Sequence, residues 1–166
     1  MLAELAESVD SAMVIVTTVS LDGRTRAGCL VGFHAQCSID PIRYVVWLSK
    51  ANHTYRVGSL AHRFAVHWLA EDQHDLAEHF GTLTGNDVDK FEGIEWEDAG
   101  GGLPILPAVK NRLIARRHTL VDDGSDHVCL VLDPIEDTGG RFRPLRFSAV
   151  KHLEAGHPAE ERQVRP

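Results

Sequence analysis

Apolar positions recur at two different spacings along this chain. Leu2, Leu5, Ala6 and Val9 fall at i, i+3, i+4 and i+7 and predict a short amphipathic helix leading into the domain. From Met13 the pattern changes: residues 13–20 are dense in Val, Ile and Thr and read as a strand. Asp22-Gly23 follows and predicts a type I′ turn, so that residues 24–32 return antiparallel. An irregular segment closed by Asp40-Pro41 leads to residues 43–49 (RYVVWLS), read as a buried strand. Asn52 is placed to cap a helix running to about His62, and residues 63–69 form the next strand.

Asp72 is expected to begin a second helix, with Asp75 completing an approximate capping box and Gly81 at its C-terminal stop. Leu76, Ala77 and Phe80 make its apolar stripe. Residues 81–102 are polar and Gly-rich and read as a long functional loop, with a little local structure around 88–91. Two long strands follow, 111–121 and 127–135, joined by Asp122-Asp123-Gly124-Ser125; a last strand, 145–153, is expected after the turn at Thr138-Gly139-Gly140. Six or more hairpin-linked strands interrupted by two short helices predict a mainly β fold, a closed or split barrel of antiparallel strands. A βαβ rhythm and a GxGxxG run are both absent, so a dinucleotide-binding sheet is excluded.

The length of 166 residues suits one domain, read as 1–155 with a flexible tail from 156 to 166. A formal charge of −7 argues against a nucleic-acid binder, which needs a basic surface for counterion release. Three widely spaced cysteines, Cys29, Cys37 and Cys129, do not make a disulfide framework. No apolar run reaches the ~20 residues a bilayer demands, and Glu4 stands where a secretory leader would be basic. The sequence therefore reads as cytoplasmic, without a membrane segment. His34, Cys37, His127 and Cys129 are zinc-capable side chains, but the chain has no CxxC and no HExxH, and no metal is expected.

The most informative segment runs from Gly28 to Arg56. A strand delivers Lys50 just before a helix start capped by Asn52, and free N–H groups at a helix N-terminus attract anions. Lys50, His53, Thr54 and Arg56 add charge and hydroxyl donors, so this looks like a phosphate pocket; an ordinary capped surface helix is the plain alternative.

The segment also resembles the flavin reductase-like family, which binds FMN in a split barrel. The resemblance rests on Gly28, Ser38-Ile39-Asp40-Pro41, Ser49-Lys50-Ala51-Asn52-His53-Thr54, the strand from Arg63 to Leu69, the helix Asp75 to Phe80, Asp89-Lys90-Phe91, and Gly124-Ser125-Asp126-His127. It covers about residues 10–153. It implies a split barrel, bound FMN (FAD as a variant), NADH or NADPH as hydride donor, a homodimer with flavin near the subunit boundary, and a partner monooxygenase supplied with reduced flavin.

Carried onto this chain, the resemblance points to Lys50, Asn52, His53 and Thr54 for the phosphate and to Gln36, Cys37 and Ser38 for the ring edge. It also points to His127 for the nicotinamide or the ring, and to Lys90 and Phe91 as a closing element, with core packing the alternative for Phe91. The chain departs from the family where hydroxyls are usual, offering Leu30, Gly32, Phe33, His34, Ala35, Gln36 and Cys37. Two other readings therefore stay open: a flavin carrier or redox sensor without turnover, and a split-barrel oxidoreductase using another donor such as a deazaflavin.

Overall fold

The computed structural model describes residues 2–156. Helix α1 (Leu2–Val9) precedes strands β1 (Val14–Val19), β2 (Arg26–Val31), β3 (His34–Ile39) and β4 (Ile42–Ser49); α2 (His53–Gly58), β5 (Arg63–Trp68) and α3 (His74–Thr82) follow. The short strands β6 (Glu97–Asp98) and β7 (Pro104–Ile105) pair with each other, and the long pair β8 (Asn111–Val121) and β9 (His127–Thr138) leads to α4 (Phe147–Val150). Seven strands form one antiparallel sheet in the order β2-β1-β5-β8-β9-β4-β3. No helix among the described residues is long and apolar enough to cross a membrane.

Although β2 and β3 are consecutive in the chain, they end up on opposite edges of the sheet. The sheet curls on itself, for Cys29 and Val31 of the edge strand β2 share one core with Val46 and Leu48 of β4, the strand next to the other edge. The result is a barrel split along that seam, the architecture the strand pattern predicts.

Strand β1 explains how the core is divided. All six of its residues are buried, and side chains alternate across a strand. Val14 and Val16 fill the barrel interior with Phe64, Val66 and Leu130. Ile15 points the other way, into a second core with Ala77 and Phe80 of α3, Phe91 and Leu106. Each such side chain contributes roughly 1.5–3 kcal/mol on burial.

Polar groups inside are paired. Thr17 donates to Pro104 O at 2.6 Å and Thr18 to Arg63 O at 2.8 Å. His67 is fully buried: its Nε2 accepts the Leu106 N–H at 3.1 Å, so Nδ1 carries the proton and donates to Ile15 O at 3.2 Å. That tautomer ties β5, β1 and the 104–106 segment together.

Several expectations are corrected. The segment before Asp40-Pro41 is strand β3, bulged between Gln36 and Ser38 and paired with β4, because its polar side chains suit an exposed sheet edge. The 22–23 turn is not type I′: only Gly23 has positive φ (74°), and the loop closes by Gly23 N–H to Ser20 O and Ser20 N–H to Thr25 O, both 2.9 Å. Helix α2 stops at Gly58, where the Ser59 N–H bonds to Tyr55 O.

Helix α3 starts at His74 after a Gln73 cap whose side chain makes no capping bond. Asp75 is thus no capping-box partner, and Gly81 lies inside the helix rather than at its stop. Residues 81–102 are not one loop, since they include the end of α3 and all of β6. In place of the strand expected over 145–153 stands helix α4, with an isolated bridge from Arg146 to Ala12 just before it. Tail residues 157–166 lie outside the described residues.

Burial pushes the His67 pKa down to about 4 from an ordinary 6.5. The unfolded chain then binds the extra proton between those values, so stability is complete above pH 6.5 and falls as pH drops toward 4. The expected loss is roughly 3 kcal/mol. Urea midpoints at pH 7 and pH 4.5 should differ accordingly, and His67→Gln, which keeps a donor and an acceptor without titrating, should flatten the difference.

Candidate functional site

Two cavities open on either side of one stretch of backbone. The larger, about 570 Å³, is mainly apolar and is walled by Phe33, Trp47, Leu30 and Val31, with Ala3 and Ala6 of α1 across from them. Its polar groups are Glu7, Ser11, Ser49, Asn52, Asp126 and His127. The smaller, about 350 Å³, is lined by Arg24, Arg26, His53, Lys90 and the loop 85–89. Gly28 faces the smaller cavity and Cys29 the larger; at the start of α2, His53 faces the smaller and Asn52 the larger. One strand and one helix start therefore serve both.

That shared wall has a tight construction. A Cβ at Gly28 would lie 2.9 Å from Phe80 Cε1, so only glycine lets β2 pass under α3. Asn52 caps α2 by accepting the Thr54 N–H at 3.0 Å, as its position predicts. Asn86 Oδ1 accepts from Arg56 at 3.0 Å and lies 3.2 Å from His53 Nδ1, binding the 85–89 loop to the helix start. A Cβ at Gly85 would meet the His53 ring at 2.5 Å. Arg26 stacks 4.6 Å above Trp96 and makes one long ion pair, 3.4 Å to Asp89, while its Nε is buried with no hydrogen-bond partner. This guanidinium lacks the full complement of acceptors that a buried donor requires.

At the mouth of the larger cavity, His127 packs edge-on against Phe33 at 5.3 Å, and its Nδ1 lies 2.9 Å from Asp126 Oδ1. The loop carrying it is fixed to β4: Lys50 N–H donates to Asp126 O at 2.9 Å, and Lys50 Nζ to Asp122 Oδ1 at 2.7 Å. That ammonium and the neighbouring N–H of Gly124 hold the Asp122 carboxyl below its usual range.

The residues singled out in the sequence are thus distributed unevenly. Asn52, His53 and His127 stand at the cavities, and Arg56 reaches the edge of the smaller one through Asn86. Lys50 is engaged by Asp122. Thr54 is buried beside Cys29, at 1% exposure. Gln36, Cys37 and Ser38 lie along the outer edge strand and line neither cavity; Gln36 donates to Ser38 O at 3.1 Å.

Phe91 is a core residue packed on Phe80. Lys90 is 5% exposed, and its ammonium donates to Gly28 O at 3.0 Å and Phe80 O at 2.9 Å, which makes it a clamp between β2 and α3. Both nitrogens of the zinc candidate His34 are occupied, at 2.6 Å by Tyr44 Oη and at 2.7 Å by Ala12 O.

Sequence reading missed Phe33, Trp47, Arg24, Arg26, Asn86 and Asp126. The two closely spaced arginines, Arg24 and Arg26, just after the Asp22-Gly23 turn were the signal available for the basic wall.

A sequence profile for the flavin reductase like domain matches residues 6–136. The chain belongs to that family. The FMN reductase (NADH) SmoA of Agrobacterium fabrum is 31% identical over 137 residues, spanning 82% of this chain and 74% of that protein. The reductase subunit of a stachydrine N-demethylase from Rhizobium meliloti is 27% identical over 130 residues, 78% of this chain but only 54% of its own length. Among solved structures, a flavin reductase domain protein from Arthrobacter superposes with a TM-score of 0.73 at 21% identity, covering 86% of each chain. An FMN-binding protein from Thermus thermophilus gives 0.69 at 21% identity, covering 77% of this chain and 70% of that one. At such identity these two establish the split-barrel fold, which this flavin reductase-family chain shares.

Lys90→Met tests the clamp. Two buried carbonyls lose a charged donor, so stability should fall by roughly 2–4 kcal/mol in chemical denaturation. An unchanged midpoint would release the Lys90 ammonium from its structural role.

Proposed function

We propose that this chain is an NAD(P)H:flavin oxidoreductase that holds FMN across the two cavities. One observation carries the reading: an aromatic, largely apolar cavity and a cationic one adjoin across β2 and the start of α2, matching a flavin's flat ring and its phosphate. The donor set suits this division. Phe33 and Trp47 offer ring-sized apolar surface. Arg24, Arg26 and His53 supply cationic and N–H donors for a phosphate, and the Arg26 guanidinium has donor capacity to spare.

In this reading the phosphate lies against His53 and the arginines rather than against Lys50, whose ammonium serves the Asp122 loop. Ser49 and Asn52 offer polar contacts to the ring's edge, and His127 faces the nicotinamide. Bound flavin supplies the redox chemistry by accepting hydride from the nicotinamide. The chain's part is to exclude water around the ring with Phe33, Trp47 and Met13. FAD is the second ligand to try.

A partner monooxygenase that takes up the reduced flavin fits relatives named as reductase subunits of such systems. A cytoplasmic location suits the nicotinamide supply and the free thiols. We also read the chain as a homodimer whose second copy covers the apolar residues of α1 and the neighbouring Phe33. Leu2, Leu5, Val9 and Phe33 are 81%, 60%, 72% and 61% exposed in the single chain.

Anaerobic NADH or NADPH should bleach the ~450 nm band of the FMN-loaded protein. Bound flavin that resists both donors would instead support a carrier, a sensor or a different reductant. Arg26→Ala with His53→Ala should weaken FMN by about 10-fold or more while shifting riboflavin only slightly, because the lost contacts are to the phosphate. Equal losses for both ligands would move the phosphate elsewhere. Light scattering of the purified protein should give twice the 18.3 kDa chain mass.

A further inference from the structure

Where the start of α3 meets the turn that follows α4, four ligand-forming side chains come together away from both cavities. His74, Asp75 and Glu78 offer one ring nitrogen and two carboxylate oxygens that all lie within 4.8 Å of one another. His74 and Glu78 stand at i and i+4 on α3 and so share one face of the helix. His152 comes from the far end of the chain. Its ring is nearly parallel to that of His74, with 7° between the planes and 5.4 Å between the centroids.

The two rings are spaced as a shared ion would space them. With metal–nitrogen bonds of about 2.0–2.1 Å, two imidazoles on one tetrahedral ion have centroids roughly 5 Å apart. The tautomer of His74 also suits ligation. Its Nε2 lies 3.1 Å from Ala149 O, and a carbonyl only accepts, so Nε2 carries the proton and Nδ1 keeps the lone pair. A backbone carbonyl on the second ring nitrogen is the usual support of a metal-bound histidine, because it fixes the ring and makes the free nitrogen more basic.

Carboxylates are common in the first turn of a helix, where its dipole favours them. The two histidines are what turn this helix start into a ligand set. Neither Asp75 nor Glu78 forms an ion pair among the described residues, and Lys151, beside His152 in the chain, is paired with Glu7 at 3.9 Å. Two imidazoles and two carboxylates suit a tetrahedral zinc-class ion, whereas magnesium and calcium take oxygen ligands.

We propose that His74, Asp75, Glu78 and His152 bind one divalent ion of the zinc class, which pins the turn after α4 to the start of α3. The role is structural, since four protein ligands close the ion's coordination and leave no position for a substrate. None of the four residues lines either cavity, so the site stands independently of the flavin reading. The expectation of no metal rested on the missing CxxC and HExxH, which are patterns of ligands close in sequence. His152 joins the set only when α4 docks beside α3.

Titration calorimetry with Zn²⁺ tests it, on the full chain freed of any affinity tag and stripped of metal with EDTA. One equivalent of Zn²⁺ should bind, and Co²⁺ in its place should give the intense visible bands of four-coordination. His74→Ala, Glu78→Gln and His152→Ala should each weaken Zn²⁺ by about 10-fold or more, at least what the loss of an outer partner costs a metal site. His62→Ala, which removes an exposed histidine elsewhere, should leave the affinity unchanged.

A second readout is the urea midpoint. Zn²⁺ should raise it in the unaltered protein, because the ion binds the folded chain, and should raise it far less in His152→Ala. Midpoints in EDTA show that each variant is folded; should His74→Ala fail that check, Glu78→Gln and His152→Ala, both at exposed positions, carry the test. No uptake of Zn²⁺ at micromolar concentration would overturn the site. So would several weak equivalents, or an equal loss in His62→Ala, since either means adventitious binding to surface histidines. Affinity that survives His152→Ala would overturn the link between α3 and the turn after α4.

Discussion

A buried lysine holds the functional half of this molecule together. Strand β2 is a sheet edge with nothing beyond it to hydrogen-bond, yet it must form a wall between two cavities. The Lys90 ammonium supplies the missing partner, joining the Gly28 carbonyl to the end of α3 through the Phe80 carbonyl. Desolvation lowers the Lys90 pKa, and the negative ends of two backbone carbonyls compensate the buried charge. Gly28 completes the arrangement by having no side chain where Phe80 lies. With β2 so fixed, Cys29 and Leu30 face an apolar cavity while Arg24 and Arg26 reach a cationic one.

The same economy appears where the other wall is made. Asn52 satisfies the helix start internally by accepting the Thr54 N–H, and His53 is oriented from outside by Asn86 and Gly85. Lys50, immediately before, reaches across to the β8–β9 loop instead of into either cavity. Three neighbouring residues thus serve three structures: the hairpin bearing His127, the helix cap and the cationic pocket. This crowding of roles explains why a family resemblance concentrates in that short segment.

Much of this was legible in the sequence, and the parts that were not have physical reasons. The strands from β4 to β5 and the Asn52 cap follow from local periodicity and one side chain's hydrogen-bonding habit. Strand β3 was invisible because an exposed edge has no buried face and so no alternation to read. Helix α4 passed as a strand since Val150 ends a helical turn docked on α1's exit by Ser148 and Asp10, a long-range contact. Lys90 looked like a loop cation, and nothing local announces that its ammonium ends on two distant carbonyls. The aromatic cavity was missed for the same reason: Phe33 and Trp47 become neighbours only when β3 and β4 pair.

Helix α1 walls one side of the aromatic cavity without burying a single residue. Eight residues make a helix too short to persist alone in water. It is held by Asp10 just past its end, which accepts from Ser148 and Arg146, and by a long ion pair between Glu7 and Lys151. With no buried side chain of its own, the helix is expected to open in the single chain at less cost than the barrel strands. In the single chain, amide exchange in α1 is expected to outpace that in β1, and a second copy covering Leu2, Leu5 and Val9 would slow it, so the order of this cavity wall is tied to association.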